Sequence, residues 1–182
     1  MTDQFLIKET MDAMRNLSTT EIIGLQDGTY KGIELLGYYE KEDTPLPIDY
    51  YLSDTTEEDN GGSVIAASNV KLEHKFTNYV DTYYFGCQNS EDFTPQLQYL
   101  LNSYREVRLA NHVHYINSTI FLPSDTTLKG NGDLSVIKAT LNGDFSIEDT
   151  MIAVFNCNKS LLINFKIEQN GEERATRIPH SV

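Results

Sequence analysis

The chain has 182 residues, enough for one domain or two small ones, and 40% of them are apolar, enough to build a core. Asp and Glu number 27 against 14 Lys and Arg, for a formal net charge of -13. That balance argues against nucleic-acid binding through phosphates, which needs clustered Lys and Arg, and against docking on anionic lipid, and it is compatible with a secreted or virion protein kept soluble by self-repulsion.

The start, Met1-Thr2-Asp3-Gln4-Phe5-Leu6-Ile7-Lys8-Glu9, has no basic region followed by an apolar core and does not read as a signal peptide. No run approaches the ~18 apolar residues of a membrane span. Residues 3–17 read as an amphipathic helix, with Phe5, Ile7, Met11, Met14 and Leu17 near helical spacing and Thr2 or Asp3 as its cap. It either packs on its own domain or bundles with copies of itself or a larger assembly. Ser18-Thr19-Thr20-Glu21 matches a capping box and predicts a second helical turn.

Residues 28–76 read as a small β module. Strand signals fall at residues 30–39, 48–52, 63–66 and 70–76, around a loop with Pro45 and Pro47 and a turn rich in Asp, Glu, Asn and Gly at residues 53–62. The stretch 80–86, Val-Asp-Thr-Tyr-Tyr-Phe-Gly, reads as a strand ending in Phe85-Gly86. Residues 90–104 predict a helix: Ser90 as cap, Glu91 and Asp92 at its positive end, Pro95 in the first turn, and Phe93, Leu97, Leu100, Leu101 and Tyr104 on one face. Short strands follow at residues 107–109, 113–116, 119–122, 126–128, 135–139, 151–155 and 161–168, separated by turn residues.

The order of these motifs is more specific than any one of them. Gly37-Tyr38-Tyr39, then Ile48-Asp49-Tyr50-Tyr51, then Asp59-Asn60-Gly61-Gly62-Ser63-Val64-Ile65, running into Phe85-Gly86, one helix, Pro123-Ser124 and Gly130-Asn131-Gly132, resembles the N-terminal part of phage tailspikes and tail fibres of the pectate-lyase-like superfamily. The resemblance covers roughly residues 30–170 and departs in its loops. Glu42–Pro47 replaces a Gly-rich loop, Cys87–Thr94 has lost glycines, and Leu109–Tyr115 replaces a Leu-Pro-x-Gly-Thr-Tyr pattern, which counts against enzymatic activity here.

The resemblance implies a mainly β chain: an N-terminal amphipathic helix, a small antiparallel β module, then the helix-capped start of a right-handed parallel β-helix. In the family the helix covers the open N-terminal end of the β-helix, whose edge would otherwise present unpaired backbone groups. The expected divisions are 1–27 as a helical attachment or oligomerisation segment, 28–78 as a β neck, and 79–182 as the capping helix and first coils. The implied protein is a virion component assembled in the host cytoplasm, usually a homotrimer. It meets other phage tail proteins through its N-terminal helix and host surface polysaccharide through a downstream region. The alternatives are an extracellular or phage polysaccharide lyase or hydrolase of the same fold, with its catalytic residues outside this chain, and a short structural virion adaptor. Coils of ~20–30 residues need neighbours above and below, and residues 170–182 offer no lid, so a longer protein is expected.

No catalytic residue, metal ligand or cofactor-binding residue is assigned. Glycoside hydrolases need two carboxylates ~5–9.5 Å apart, and none of Asp125, Asp133, Asp144, Glu148, Asp149 or Glu168 has a marking spacing. Asp133 and Asp144, beside glycines, read as turn residues. His112 and His114 share a face if on a strand, without a third ligand at matching spacing, and His74 and His180 read as surface residues. Gly130-Asn131-Gly132 lacks the third glycine of a dinucleotide loop. Cys87 and Cys157 read as unpaired thiols, which fits cytoplasmic assembly. Tyr38-Tyr39, Tyr50-Tyr51 and Tyr83-Tyr84 are either strand core or contact area for assembly.

Overall fold

The structure, a computed structural model, describes residues 4–145, 150–154 and 158–169. They fall into two units. One holds the residues up to Thr77 with Tyr83–Gly86, the other Asn78–Thr82 with the residues from Cys87 onward.

The first unit begins with a strand. β1 (Phe5–Lys8) runs parallel to β2 (Gly32–Leu35), with Phe5 beside Gly32 and Lys8 beside Leu35. The helix expected over residues 3–17 is therefore shorter than its apolar spacing suggested. Thr10 stays extended (φ -136°, ψ 160°), its hydroxyl accepts the Ala13 amide, and α1 covers only Met11–Arg15. Pairing with a distant strand outweighs helical periodicity over Phe5–Lys8. The proposed caps Thr2 and Asp3 lie outside the described residues. The capping box is present: Ser18 Oγ accepts the Glu21 amide, the Glu21 carboxylate accepts the Ser18 amide, and α2 (Thr19–Gln26) follows. Met11, Met14, Leu17, Ile22 and Leu25 are buried in the unit's own core with Ile33, Leu35, Tyr50, Ile65 and Leu72.

β3 (Ile48–Ser53), β4 (Val64–Ala67) and β5 (Val70–Glu73) complete a five-stranded sheet in the order β1-β2-β3-β5-β4, antiparallel beyond β2. The turn before β4 is built from its side chains. Asn60 Oδ1 accepts the amides of Gly62, Ser63 and Val64, and the Asp59 carboxylate accepts those of Gly61 and Ala66. Arg15 from α1 clamps both Asp59 oxygens. Burial alone would raise the Asp59 pKa, but the guanidinium and the two amides outweigh it and hold the group below the usual carboxylate range. The hydroxyls of Tyr38, Tyr50 and Tyr39 donate to the carbonyls of Gly61, Gly62 and Gly86. A Cβ on Gly62 would lie 2.5 Å from the Phe85 ring, and Gly86 has φ +72° against the Tyr38 ring. Four of the motifs that carry the resemblance, Gly37–Tyr39, Ile48–Tyr51, Asp59–Ile65 and Phe85-Gly86, thus meet in one place.

Of the expected strand 80–86, only Val80–Asp81, in the second unit, is extended (β6), and the 3-10 turn Thr82–Phe85 carries the chain into residues 83–86 of the first unit. β7 (Glu106–Arg108), β8 (Val113–Ser118), β9 (Ile120–Phe121), β10 (Thr127–Asp144), β11 (Ile152–Ala153) and β12 (Leu161–Glu168) follow. All their pairings are parallel: Val80 beside Val107, Val107 beside Leu128, Leu128 beside Leu162. A second row runs β8 to β10 to β12 and a third β9 to β11. Parallel rows of strands from successive stretches of chain are the arrangement that stacked coils require. The two short strands expected at 126–128 and 135–139 merge into β10, which bends through register shifts beside Gly132 (φ +62°). At that bend the buried Ser135 hydroxyl donates to Leu109 O in the preceding coil and accepts the Asn131 amide.

The capping helix α3 is Thr94–Ser103, with Pro95 in its first turn and Leu97, Leu100 and Leu101 buried. Ser90 does not cap it. Asp92 accepts the Thr94 and Asn117 amides instead. The helix answers the open strand edge with side chains. The Gln98 amide both donates to Phe121 O and accepts from Phe121 N, each at 2.8 Å, and Thr94 Oγ1 accepts the Asn117 amide. Val80, Val107 and Leu128 are fully buried, while Leu161, Leu162, Ile163 and Ile167 of β12 are exposed.

Asp59→Ala removes the partner of Arg15 and strands the amides of Gly61 and Ala66. It is expected to lower the unfolding free energy by about 3 kcal/mol in urea titrations. Gly62→Ala, which forces a methyl into the Phe85 ring, is expected to cost roughly 1–3 kcal/mol in the same measurement.

Candidate functional site

An open concavity lies on the outer face of the first unit's sheet. Strand alternation sends Tyr50 into the core and turns Asp49 and Tyr51 outward. Antiparallel register then sets Glu34 directly opposite Asp49 and Glu73 opposite Tyr51. With Pro47, Ile48, Leu52, His74 and Lys75 they line an open groove of about 680 Å³. Ser53 Oγ donates to Glu73, and Lys75 stands 3.6 Å from it. His74 is not the isolated surface residue expected. It is half-buried, packed on the rings of Tyr50 and Phe76, and its Nδ1 donates to Asp49 O at 2.8 Å. A carbonyl only accepts, so this contact places the proton on Nδ1 and leaves Nε2 as an acceptor.

The pair His112 and His114 does not make a metal site. β8 begins at Val113, so His112 sits in the preceding turn, its amide donating to Ala110 O and its carbonyl accepting from Val136 N. His114 is fully buried. Its Nδ1 donates to Val136 O at 3.2 Å, and its Nε2 accepts the Thr82 hydroxyl at 2.7 Å. Thr82 Oγ1 accepts the Ala110 amide at 2.8 Å in turn. Both ring nitrogens are engaged, so no lone pair is left for a metal. Burial, opposed by the Val136 carbonyl, lowers its pKa to about 4. Among the described residues, no group of three or more His, Cys, Asp or Glu is placed to hold a metal ion.

The carboxylates of the coils take structural positions. Asp125 occupies a left-handed turn (φ +57°) with its amide on Asn158 O. Asp133 and Asp144 lie within β10 and not in the turns expected of them, because bulges let the strand continue past the glycines. Glu168 pairs with Lys166 at 2.7 Å and Lys138 at 3.5 Å, and the Lys166 contact above all holds its pKa down. Glu148, Asp149, Cys157 and His180 lie outside the described residues. Cys87 is buried. Tyr50 is wholly buried, whereas Tyr39 and Tyr51 are exposed, so the tyrosine pairs divide between core and surface. No described helix is long and apolar enough to cross a membrane.

No protein-family model matches the sequence, and no curated protein matches it. Among solved structures, the fold is that of phage tailspikes. The Acinetobacter phage vB_ApiP_P1 tailspike matches 93% of this chain at 15% identity, with a TM-score of 0.62, over 30% of its own length. The enzymatically active domain of tailspike protein 2 from bacteriophage CBA120 matches 93% at 18% identity, with a TM-score of 0.58, over 25% of its length. The Acinetobacter baumannii phage AM24 tailspike matches 87% at 14% identity, with a TM-score of 0.51, over 32% of its length. The chain thus spans a quarter to a third of these tailspikes. It is mostly β, with parallel-strand sheets and a tailspike-like fold.

His114 sets a pH dependence of stability. Its unfolded pKa is near 6.5 and its folded value about 4. Between these the unfolded chain takes up a proton that the folded chain refuses, so stability falls as pH drops through that window, by up to about 3 kcal/mol, and not further below it. Urea titrations at pH 7 and pH 4.5 are expected to show the loss, and His114→Gln to remove most of the difference.

Proposed function

We propose that this chain is part of a phage tail spike or fibre, with its first unit joining the spike to other tail proteins and its second opening the β-helix that carries a host-glycan-binding region. The observation that supports this is the structural match of 87–93% of the chain to several tailspikes. The protein is then a virion component assembled in the host cytoplasm, and a homotrimer. Exposed Tyr39 and Tyr51 supply amphipathic contact area for assembly.

The second reading is a polysaccharide depolymerase of the same fold. One matched protein is described as an enzymatically active domain, which favours it. The described carboxylates of the second unit, Asp125, Asp133, Asp144 and Glu168, sit in a turn, a bulged strand and ion pairs, so such an activity would be carried outside them.

Immunogold labelling of purified particles with antibody to this chain is expected to mark the tail. Particles without label would overturn the virion reading. Light scattering of the purified chain is expected to give the mass of a trimer. A monomer would move assembly to regions beyond these residues.

A further inference from the structure

We propose that the groove on the open face of the first unit's sheet is a docking surface for a basic protein segment, one that lays a Lys or Arg side chain between Glu34 and Asp49. Glu34 and Asp49 stand directly opposite each other in the register of adjacent antiparallel strands. Like charges in that position destabilise a sheet. Neither carboxylate has a hydrogen-bond or ion-pair partner among the described residues, in contrast to Glu21, Asp59, Glu73 and Glu168, which are each paired. Both residues therefore line the concavity without a direct partner, while the groove's own lysine, Lys75, stands against Glu73.

The rest of the groove completes a receptor for a long cationic side chain. Tyr51 is 41% exposed beside Asp49 on the same face, and Pro47 and Leu52 line the wall. A guanidinium can rest on the Tyr51 ring while its head bridges the two carboxylates and its methylenes cover the apolar wall. A second copy of the chain is disfavoured as occupant, because its net charge is -13 and its matching face would carry the same carboxylates. Met11 and Met14 of α1 and Ile22 and Leu25 of α2 face the unit's own core and only Ile23 of α2 is exposed, so the open sheet face, with its groove, is the broader surface this unit offers a partner. The partner's place in a virion rests on the tail reading. The surface itself does not, and particle labelling and peptide titration fail independently.

The test is fluorescence anisotropy of the intact chain with a short labelled peptide alternating Arg and Val, against the same peptide with Glu for Arg. The basic peptide is expected to bind, more weakly as salt rises, and the acidic one not to bind. The double variant Glu34→Gln, Asp49→Asn is expected to weaken binding roughly tenfold or more, with a melting temperature unchanged or raised because a repulsion is removed. Tyr51→Ala is expected to weaken it less. The control Glu57→Gln, Glu58→Gln, on exposed carboxylates of the β3–β4 loop, is expected to leave it unchanged. Equal loss in the control would reduce the effect to net charge and overturn the proposal, as would absence of binding by the wild type. Binding of a neutral oligosaccharide that is lost with Tyr51→Ala, without peptide binding, would reassign the groove to glycan. A change in the chain's own mass in the double variant would reassign it to self-association.

Discussion

Backbone amides left over where a strand turns or a sheet ends must find acceptors, and that requirement shapes both units. Leaving one buried and unanswered costs on the order of 1–3 kcal/mol. In the first unit Asp59 and Asn60 answer the amides of Gly61, Gly62, Ser63, Val64 and Ala66. In the second, Gln98, Thr94 and Asp92 do the same for Phe121 and Asn117, and Thr82 for Ala110. The turn before β4 and the helix over the first coil are two solutions to one problem.

The same requirement explains residues that look functional in the sequence but are structural. His114 is a relay between Thr82 and Val136 O and is kept neutral by burial. The tyrosines at positions 38, 39 and 50 place their hydroxyls on glycine carbonyls. Gly62 and Gly86 exist to admit Phe85 and Tyr38 at close range. None of these groups remains available for chemistry. What the first unit leaves uncommitted is its outer sheet face, where side chains carry charge without a partner.

The fold points to tailspikes, and identities of 14–18% mean that the match lives in architecture and not in side chains. A stacked coil needs inward apolar residues at matching heights and turns that tolerate bends. Many sequences meet those terms, which is why the architecture survives while the loops diverge. A binding or catalytic surface depends on particular side chains and does not follow from the same terms.

Some of this was legible in the residues alone because it is local. The Ser18–Glu21 capping box, Pro95 in a first turn, the apolar face of α3 and strand β12 each depend on neighbours a few positions away. The ordered motifs also foretold the helix-capped parallel strands. Other features needed the tertiary structure because they depend on distant partners. Residues 5–8 became a strand only because β2 lies beside them, and Thr82 left the strand path to serve Ala110. Alternation along β3 turns Asp49 and Tyr51 to one face, but only the antiparallel register sets Glu34 across from Asp49. Sequence spacing determines which side chains share a face of one element. Which faces meet is decided by hydrogen-bond register between elements far apart in the chain, and no local pattern carries that information.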